Sequence, residues 1–339
     1  MSPRKRFRCG VIGYSPAFNM GRLHLEAMTK NPGMEAAAVC DLDPEYRAAA
    51  ARDWPGATVY SRVGDMLRRA ELDLVAVITP HNTHARLVLQ CLEAGAGVVC
   101  EKPLAITSRE ISEMIALSKR RKVMLSTFHN RRWDSDFLLL CDLIHKEKAI
   151  GGPFRIECGF YRYGESGAWW RSDKKISGGA IYDWGAHFTD WVLQLVGDEI
   201  DWVSGFQVKN PAWGSYTNED HSEYTLKFKG GCEVTQTISN LSMSPRPRWR
   251  VLGDRGAIEA VEEGFLLRTL VNGRQMSAVV PVPERLPTAE LFYANVYRHL
   301  QGRGKLAVTA ESAARVIGVL EAANLSAARG SAPVKPAFK

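Results

Sequence analysis

Three side chains have the types and spacing for acid–base chemistry. The first is Lys102, in the run Val98-Val99-Cys100-Glu101-Lys102-Pro103. A β-branched stretch that stops at a charged pair and a proline predicts a buried strand ending at its carboxyl end. Pro103 offers no N–H and fixes its own φ, so Lys102 is expected at a stiff corner. The other two are Asp183 and His187, in Gly178-Gly179-Ala180-Ile181-Tyr182-Asp183-Trp184-Gly185-Ala186-His187. Four positions apart, they fall on one face of a helix, a turn from each other. A carboxylate beside an imidazole raises its pKa and orients it, which suits a general base working near neutral pH. An ammonium beside the developing alkoxide supplies the complementary positive charge. The spacing also fits a purely structural pair, with Asp183 supporting the helix start and His187 packing on Trp191.

The first half of the chain holds the elements that must position Lys102. Cys9-Gly10-Val11-Ile12-Gly13 predicts a strand and Met20 to Met28 a helix, with apolar residues 20, 23, 27 and 28 at helical spacing. The loop between them, Gly13-Tyr14-Ser15-Pro16-Ala17-Phe18-Asn19-Met20-Gly21, is a variant of the glycine-rich turn that lets a backbone approach a pyrophosphate. Gly13 and Gly21 serve as its outer glycines, while Ser15 replaces the middle one and the loop is about three residues longer than the usual pattern. A second strand, Ala36 to Cys40, ends on Asp41, 20 positions after Gly21. A carboxylate there accepts from both ribose hydroxyls and repels a 2′-phosphate, so NAD is expected over NADP. The alternative for Asp41 is a turn residue leading into Asp43-Pro44.

A helix from Pro44 to Arg52, a strand at Thr58 to Tyr60, and a fourth strand from Leu72 to Pro80 follow. His81-Asn82-Thr83-His84 then opens a helix over Ala85 to Ala94. His81 and His84 are three apart, but no third ligand lies at suitable spacing, so no metal is expected. They are read as capping and lining the turn, with His84 facing the nicotinamide side of the cleft. Val98 to Cys100, a helix over Ser108 to Arg121 and a strand over Val123 to Phe128 complete an alternating pattern, which implies a doubly wound parallel sheet. The expected cofactor-facing set is Gly13, Tyr14, Ser15, Asn19, Met20, Asp41, Thr79, Pro80, His81, His84, Glu101 and Lys102.

The pattern changes after His129. A helix over Asp134 to His145 precedes strands near Phe154 to Tyr161, Val203 to Val208, His221 to Phe228, Cys232 to Ser239 and Arg248 to Gly253, interrupted by a helix over Ala180 to Val196. Strands without intervening helices predict a mostly antiparallel α+β domain. The chain thus divides into residues 1–127 and 128–339, and terminal helices over Leu291 to Leu300 and Glu311 to Ala328 are expected to pack back on the body. Arg131, Arg132, Tyr161, Tyr163, Trp169, Trp170 and Arg171 are candidates for a substrate wall. Aromatic faces suit the C–H face of a sugar ring, and arginine suits a carboxylate or phosphate.

Composition bounds these readings. The 339 residues are 45% hydrophobic and 24% charged, an ordinary globular balance on a chain long enough for two domains. No apolar run approaches the roughly 18 residues of a membrane span, and the apolar run behind the basic start is too short for a secretion signal, which points to the cytoplasm. Seven scattered cysteines without a C-x-x-C pair predict neither a disulfide framework nor structural zinc. The formal charge of +7 suits a phosphate-bearing ligand; no aromatic-basic repeat of a nucleic-acid module accompanies it.

Gly10-Val11-Ile12-Gly13, Met20-Gly21-Arg22-Leu23-His24, Val39-Cys40-Asp41, Thr79-Pro80 with His84, Glu101-Lys102-Pro103, and Gly178-Gly179 to Asp183 and His187 occur in that order. In this the chain resembles the glucose–fructose oxidoreductase/inositol dehydrogenase (Gfo/Idh/MocA) family, over almost its whole length. Phe292-Tyr293 and the Glu311 to Ser326 helix also resemble that family's ending. The resemblance implies a Rossmann domain followed by an α+β domain with an open-faced sheet, and NAD(P)-dependent oxidation or reduction of a sugar, cyclitol or related carbonyl compound. It implies that Lys102 hydrogen-bonds the reacting oxygen, that His187 exchanges its proton, and that Asp183 fixes substrate and imidazole. The loop carrying Ser15 departs from the family pattern. Two other functions are compatible: an NAD(P)-binding sensor that regulates a protein partner, and an enzyme that keeps its nucleotide for internal redox during glycoside cleavage or epimerisation. Exposed faces of open sheets commonly pair, so a homodimer or homotetramer is expected, with no nucleic-acid or membrane partner.

Overall fold

A computed structural model describes residues 6–15, 17–214 and 216–338; Arg4 and Lys5 of the basic start and Pro16 of the glycine loop lie outside them. The chain forms two compact units. The first contains the described residues up to Ala105, then Arg109–Asn130 and Pro287–Ala313, and the second contains Ile106–Ser108, Arg131–Leu286 and the chain from Ala314 onward. The expected boundary at 127/128 therefore falls just short of Asn130, and residues 287–313 lie with the first unit. The reason is packing: Tyr297 meets Phe7 edge-on at 6.1 Å, and Tyr293 meets His24 at 5.7 Å.

The first unit is a six-stranded parallel sheet of β1 (Phe7–Ile12), β2 (Met34–Cys40), β3 (Thr58–Tyr60), β4 (Leu74–Val77), β5 (Gly97–Cys100) and β6 (Leu125–Thr127). Helices α1 (Met20–Thr29), α2 (Pro44–Asp53), α3 (Val63–Arg69), α4 (His84–Glu93) and α5 (Ser108–Arg121) connect them. The strand order, 3-2-1-4-5-6, reverses between β1 and β4, and ligands of such sheets bind outside the carboxyl ends at that point. Leu74 to Val77 and Val98 to Cys100 are completely buried, as strands covered on both faces must be. Helix α3 was not expected from the sequence, because only seven residues between short loops carry it.

In the second unit α6 (Ser135–Cys141) leads through a wider helical turn over Asp142–Lys146 to β7 (Pro153–Tyr161). Then come α7 (Lys174–Ser177), α8 (Trp184–Val196), β8 (Ile200–Val208), β9 (His221–Phe228), β10 (Glu233–Ser239), β11 (Trp249–Gly253), β12 (Gly256–Val261), β13 (Gly264–Val271) and β14 (Arg274–Pro281). They form one eight-stranded sheet, order 14-13-12-11-7-10-9-8, in which only β7 and β10 pair in parallel. Helix α8 covers one face, where Trp191, Trp249, Phe188 and Tyr224 are fully buried. Helices α9 (Thr288–Leu300) and α10 (Ala310–Ala328) end the chain.

The helix expected over Ala180 to Val196 is interrupted. A 3-10 turn spans Ala180–Tyr182, Asp183 has φ −85° and ψ −90°, and α8 starts only at Trp184. The cysteines are free, and all but Cys141 are buried; burial pushes the Cys9 and Cys91 thiols up to about 12. Among the described residues no helix is long and apolar enough to cross a membrane.

Candidate active site

At the end of β1, Gly13 has φ +100°, and a Cβ there would lie 2.0 Å from the Ile78 carbonyl oxygen. At Gly21, in the first turn of α1, a Cβ would lie 2.8 Å from the Gly13 oxygen. Both glycines are required by close backbone approach, which is their expected role in a pyrophosphate turn. The longer loop brings two non-glycine residues, Phe18 and Asn19, to positive φ (+61° and +51°), and α1 opens at Met20 without a side-chain cap on Asn19. An uncapped helix N-terminus behind tight glycines suits a pyrophosphate, so the residues fit a dinucleotide.

Two members of the expected set are committed differently than their positions suggested. The Tyr14 ring is buried: its hydroxyl donates to Asp53 at 2.8 Å and accepts from Trp54 Nε1 at 3.1 Å, so only its backbone is at the strand end. Asp41 Oδ2 accepts from Tyr14 N at 2.6 Å and Oδ1 from Asp43 N at 2.8 Å. The carboxylate therefore shapes the turn, and each oxygen keeps a second lone pair for a ribose hydroxyl. Ser15 sits half-buried in the loop.

The turn after β4 is tied to the Lys102 corner. Pro80 follows β4 by three residues, the Thr79 and Thr83 hydroxyls are 2.7 Å apart, and buried His84, rather than facing a nicotinamide, points Nε2 at the Thr79 carbonyl (2.7 Å) and Nδ1 at the Pro103 carbonyl (2.8 Å). His81 is buried beside it, with ring centroids 5.6 Å apart. Among the described residues no group of three His, Cys, Asp or Glu could hold a metal. Lys102 follows β5 through a cis peptide to Pro103. Its N–H donates to Glu101 Oε2 at 3.0 Å, and Glu101 Oε1 lies 3.1 Å from His24 Nε2. Burial pushes the Glu101 carboxyl up, but the His24 ring and the Lys102 charge and N–H overcome it and hold the group below the usual range.

In the second unit the site is built on a double-glycine turn. Gly178 and Gly179 have φ +89° and +124°, and a Cβ on Gly179 would lie 2.8 Å from Glu219 Oε1. That buried oxygen accepts from Ala180 N at 3.0 Å, while Asn324 Nδ2 donates to the Gly178 carbonyl at 3.1 Å. The turn is what places Asp183 ahead of α8 rather than within it. Asp183 Oδ1 accepts from Arg171 Nη1 at 3.0 Å, and the Arg171 guanidinium lies over Trp170 (4.7 Å) and Trp169 (5.2 Å). His187 is 6% exposed, its ring 5.8 Å from Trp184 and 6.1 Å from Trp191. The packing against Trp191 that the structural alternative required is thus present, and it holds the imidazole in place. Arg131 stacks over Trp184 at 4.8 Å and pairs with Asp134.

Two residues of the expected wall are elsewhere. Tyr161 points to the sheet face opposite α8, into a polar cavity of about 270 Å³ with Glu223 and Thr237, because its neighbour Phe160 stacks on Trp184 at 5.2 Å and successive strand residues alternate. Arg132 is a structural residue, its side chain 10% exposed and bidentate to Asp190 at 2.6 and 2.8 Å. Sequence reasoning missed Asp190, Glu219 and Arg248, which lies over Trp191 at 5.0 Å. Only Asp190 carried a signal, as a lone acid in the apolar run Phe188 to Val192.

Known proteins match this architecture. Residues 7–129 match the oxidoreductase family with an NAD-binding Rossmann fold, and residues 140–259 match the GFO/IDH/MocA C-terminal domain. The chain is 29% identical over 339 residues to the uncharacterized oxidoreductase YdgJ of Escherichia coli, covering 93% of this chain and 94% of that protein. It is 26% identical to the scyllo-inositol 2-dehydrogenase (NADP(+)) IolW of Bacillus subtilis, covering 80% and 81%. An NAD-binding protein from Listeria innocua superposes with a TM-score of 0.84 at 26% identity, covering 98% and 97%. With both halves matched in order, the chain belongs to the Gfo/Idh/MocA family of NAD-binding oxidoreductases.

Proposed function

We propose that this oxidoreductase moves a hydride between nicotinamide and a CH–OH carbon of a sugar, cyclitol or related polyhydroxylated compound. The bound nucleotide supplies the hydride acceptor or donor. Oxidation also requires that the hydroxyl lose its proton as the C–H bond breaks and the C=O bond forms. In this reading His187 takes that proton, the Lys102 ammonium stabilises the developing negative oxygen, and Asp183 orients substrate and imidazole. Gly13, Asn19, Met20 and Asp41 receive the nucleotide; Arg131, Trp170 and Arg171 face the substrate.

The observation that carries the reading is the Lys102 corner. A cationic side chain follows the carboxyl end of a central parallel strand, with its peptide N–H held by Glu101. That is where ligands of this sheet type are bound. The inositol-acting relative supports a polyhydroxylated substrate. That relative is named for NADP(+), whereas the Asp41 carboxylate favours NAD here by repelling a 2′-phosphate. The same reading places the protein in the cytoplasm as a homodimer or homotetramer. The test is a panel of polyols, aldoses and ketoses followed by NADH absorbance. Turnover with NAD is expected; NADH binding without turnover on any member contradicts the reading and favours a sensor.

A further inference from the structure

Two motifs have no part in the chemistry above: the start of α1, ending in His24, and Phe292-Tyr293 of α9. They meet inside the first unit. The His24 imidazole is fully buried, with Nδ1 2.5 Å from Tyr293 Oη and Nε2 3.1 Å from Glu101 Oε1. The other oxygen of that carboxylate accepts from the Lys102 N–H. One unbroken line of hydrogen bonds therefore runs from α9 through α1 to the peptide of Lys102. The ring cannot turn away easily, since Phe128 lies against it at 4.2 Å and is itself backed by Phe292 at 4.9 Å.

The proton positions follow from the acceptors. An ionised carboxylate only accepts, so His24 must carry its hydrogen on Nε2. In that tautomer Nδ1 accepts from the Tyr293 hydroxyl, and every polar atom in the line has a partner. The titratable groups nearest the line are Lys102, Cys9 and Cys100, and burial keeps both thiols protonated. Three apolar side chains of similar size would hold α1 to α9 as well or better, because buried polar groups gain little net stability. What the polar line adds is direction.

We propose that Tyr293 and His24 are positioning residues for Lys102: the tyrosine anchors the imidazole through Nδ1, the imidazole aims the Glu101 carboxylate, and Glu101 holds the peptide that presents the ammonium. A tyrosine 269 residues from that histidine in sequence thereby sets the geometry of the β5 corner. Only the kinetic part of the test rests on the hydride-transfer reading.

The experiment compares the whole chain with Tyr293→Phe, His24→Gln and the double variant. Ring-¹⁵N histidine spectra of the wild type should show the imidazole that is lost in His24→Gln as the Nε2–H tautomer, and Tyr293→Phe should shift its Nδ1 signal while leaving the hydrogen on Nε2. The Lys102 Cε signal, assigned by its loss in Lys102→Arg, should shift in both single variants and move no further in the double. On a substrate found in the panel, kcat should fall about tenfold in Tyr293→Phe while KM and NADH affinity stay within about threefold, with the double variant no worse than His24→Gln, as for residues acting as one unit. An Nδ1–H tautomer in the wild type, an unmoved Lys102 signal, or additive losses would overturn the proposal. If no substrate turns over, the functional reading fails while the two spectra still decide this one.

Discussion

The two units hold their chemistry by different means. In the first, Lys102, Thr79 and Asp41 stand at the ends of parallel strands, tied by bonds that mostly involve backbone: Lys102 N to Glu101, His84 to the Thr79 and Pro103 carbonyls, Tyr14 N to Asp41. In the second, Asp183 and His187 sit around a helix start fixed by a double-glycine turn and walled by stacked side chains. Arg171 lies over Trp169 and Trp170, and Arg131 over Trp184. Backbone anchorage suits a nucleotide whose shape does not vary. Side-chain stacking can be recut residue by residue, so the second unit is where substrate choice is expected to reside.

Substitutions can break or sharpen this contrast. His187→Asn should lower kcat by about 10²- to 10⁴-fold with NADH affinity unchanged, read by steady-state kinetics and fluorescence titration. Equal losses in NADH affinity would erase the division of labour. Asp190→Ala removes the largely buried carboxylate that takes two hydrogen bonds from Arg132 and should destabilise the protein by about 3–5 kcal/mol in urea unfolding, whereas replacing both by apolar residues of similar size should restore most of it. Asp41→Ala should raise NADPH affinity relative to NADH by about tenfold, roughly 1.4 kcal/mol, through removal of the charge that repels the 2′-phosphate. Trp170→Ala should raise substrate KM a few-fold with little change in kcat or in nucleotide affinity, as expected for one lost stacking face worth about 1 kcal/mol.

The acid limb of stability offers a further check on the first unit. The Glu101 carboxyl is held below its unfolded value, so it adds stability above the ordinary carboxylate range, and that stability is lost as pH falls through the folded value. Glu101→Gln should therefore flatten the fall of Tm below about pH 4.5, measured by calorimetry, relative to wild type.

The same contrast explains what the sequence could tell. Strands β4 and β5 are unbroken apolar runs closed by proline, so the parallel sheet and the place of Lys102 could be read directly. Strands β12 to β14 could not be read from periodicity, because β14 is exposed along most of its length. Their signal was instead in the turn: Asn272-Gly273, both at positive φ, joins Val271 to Arg274 as a two-residue hairpin. At Asp183 the four-residue spacing to His187 was real, but the helix expected to carry both starts one residue later, since the Gly178-Gly179 turn and its Glu219 anchor are tertiary features. Long-range pairs such as Arg132 with Asp190 and His24 with Tyr293 could not be read as pairs: Asp190 stood out as a lone acid in an apolar run, but nothing local named its partner, and the other three resemble ordinary polar residues of helical turns.

The central claim is that Lys102 supplies the charge at the reacting oxygen. The direct measurement is NAD-linked turnover of wild type and Lys102→Ala across the polyol panel, beside NADH binding by each. A loss of about 10²-fold or more in kcat with NADH affinity retained is expected. Undiminished turnover in the variant would contradict the account.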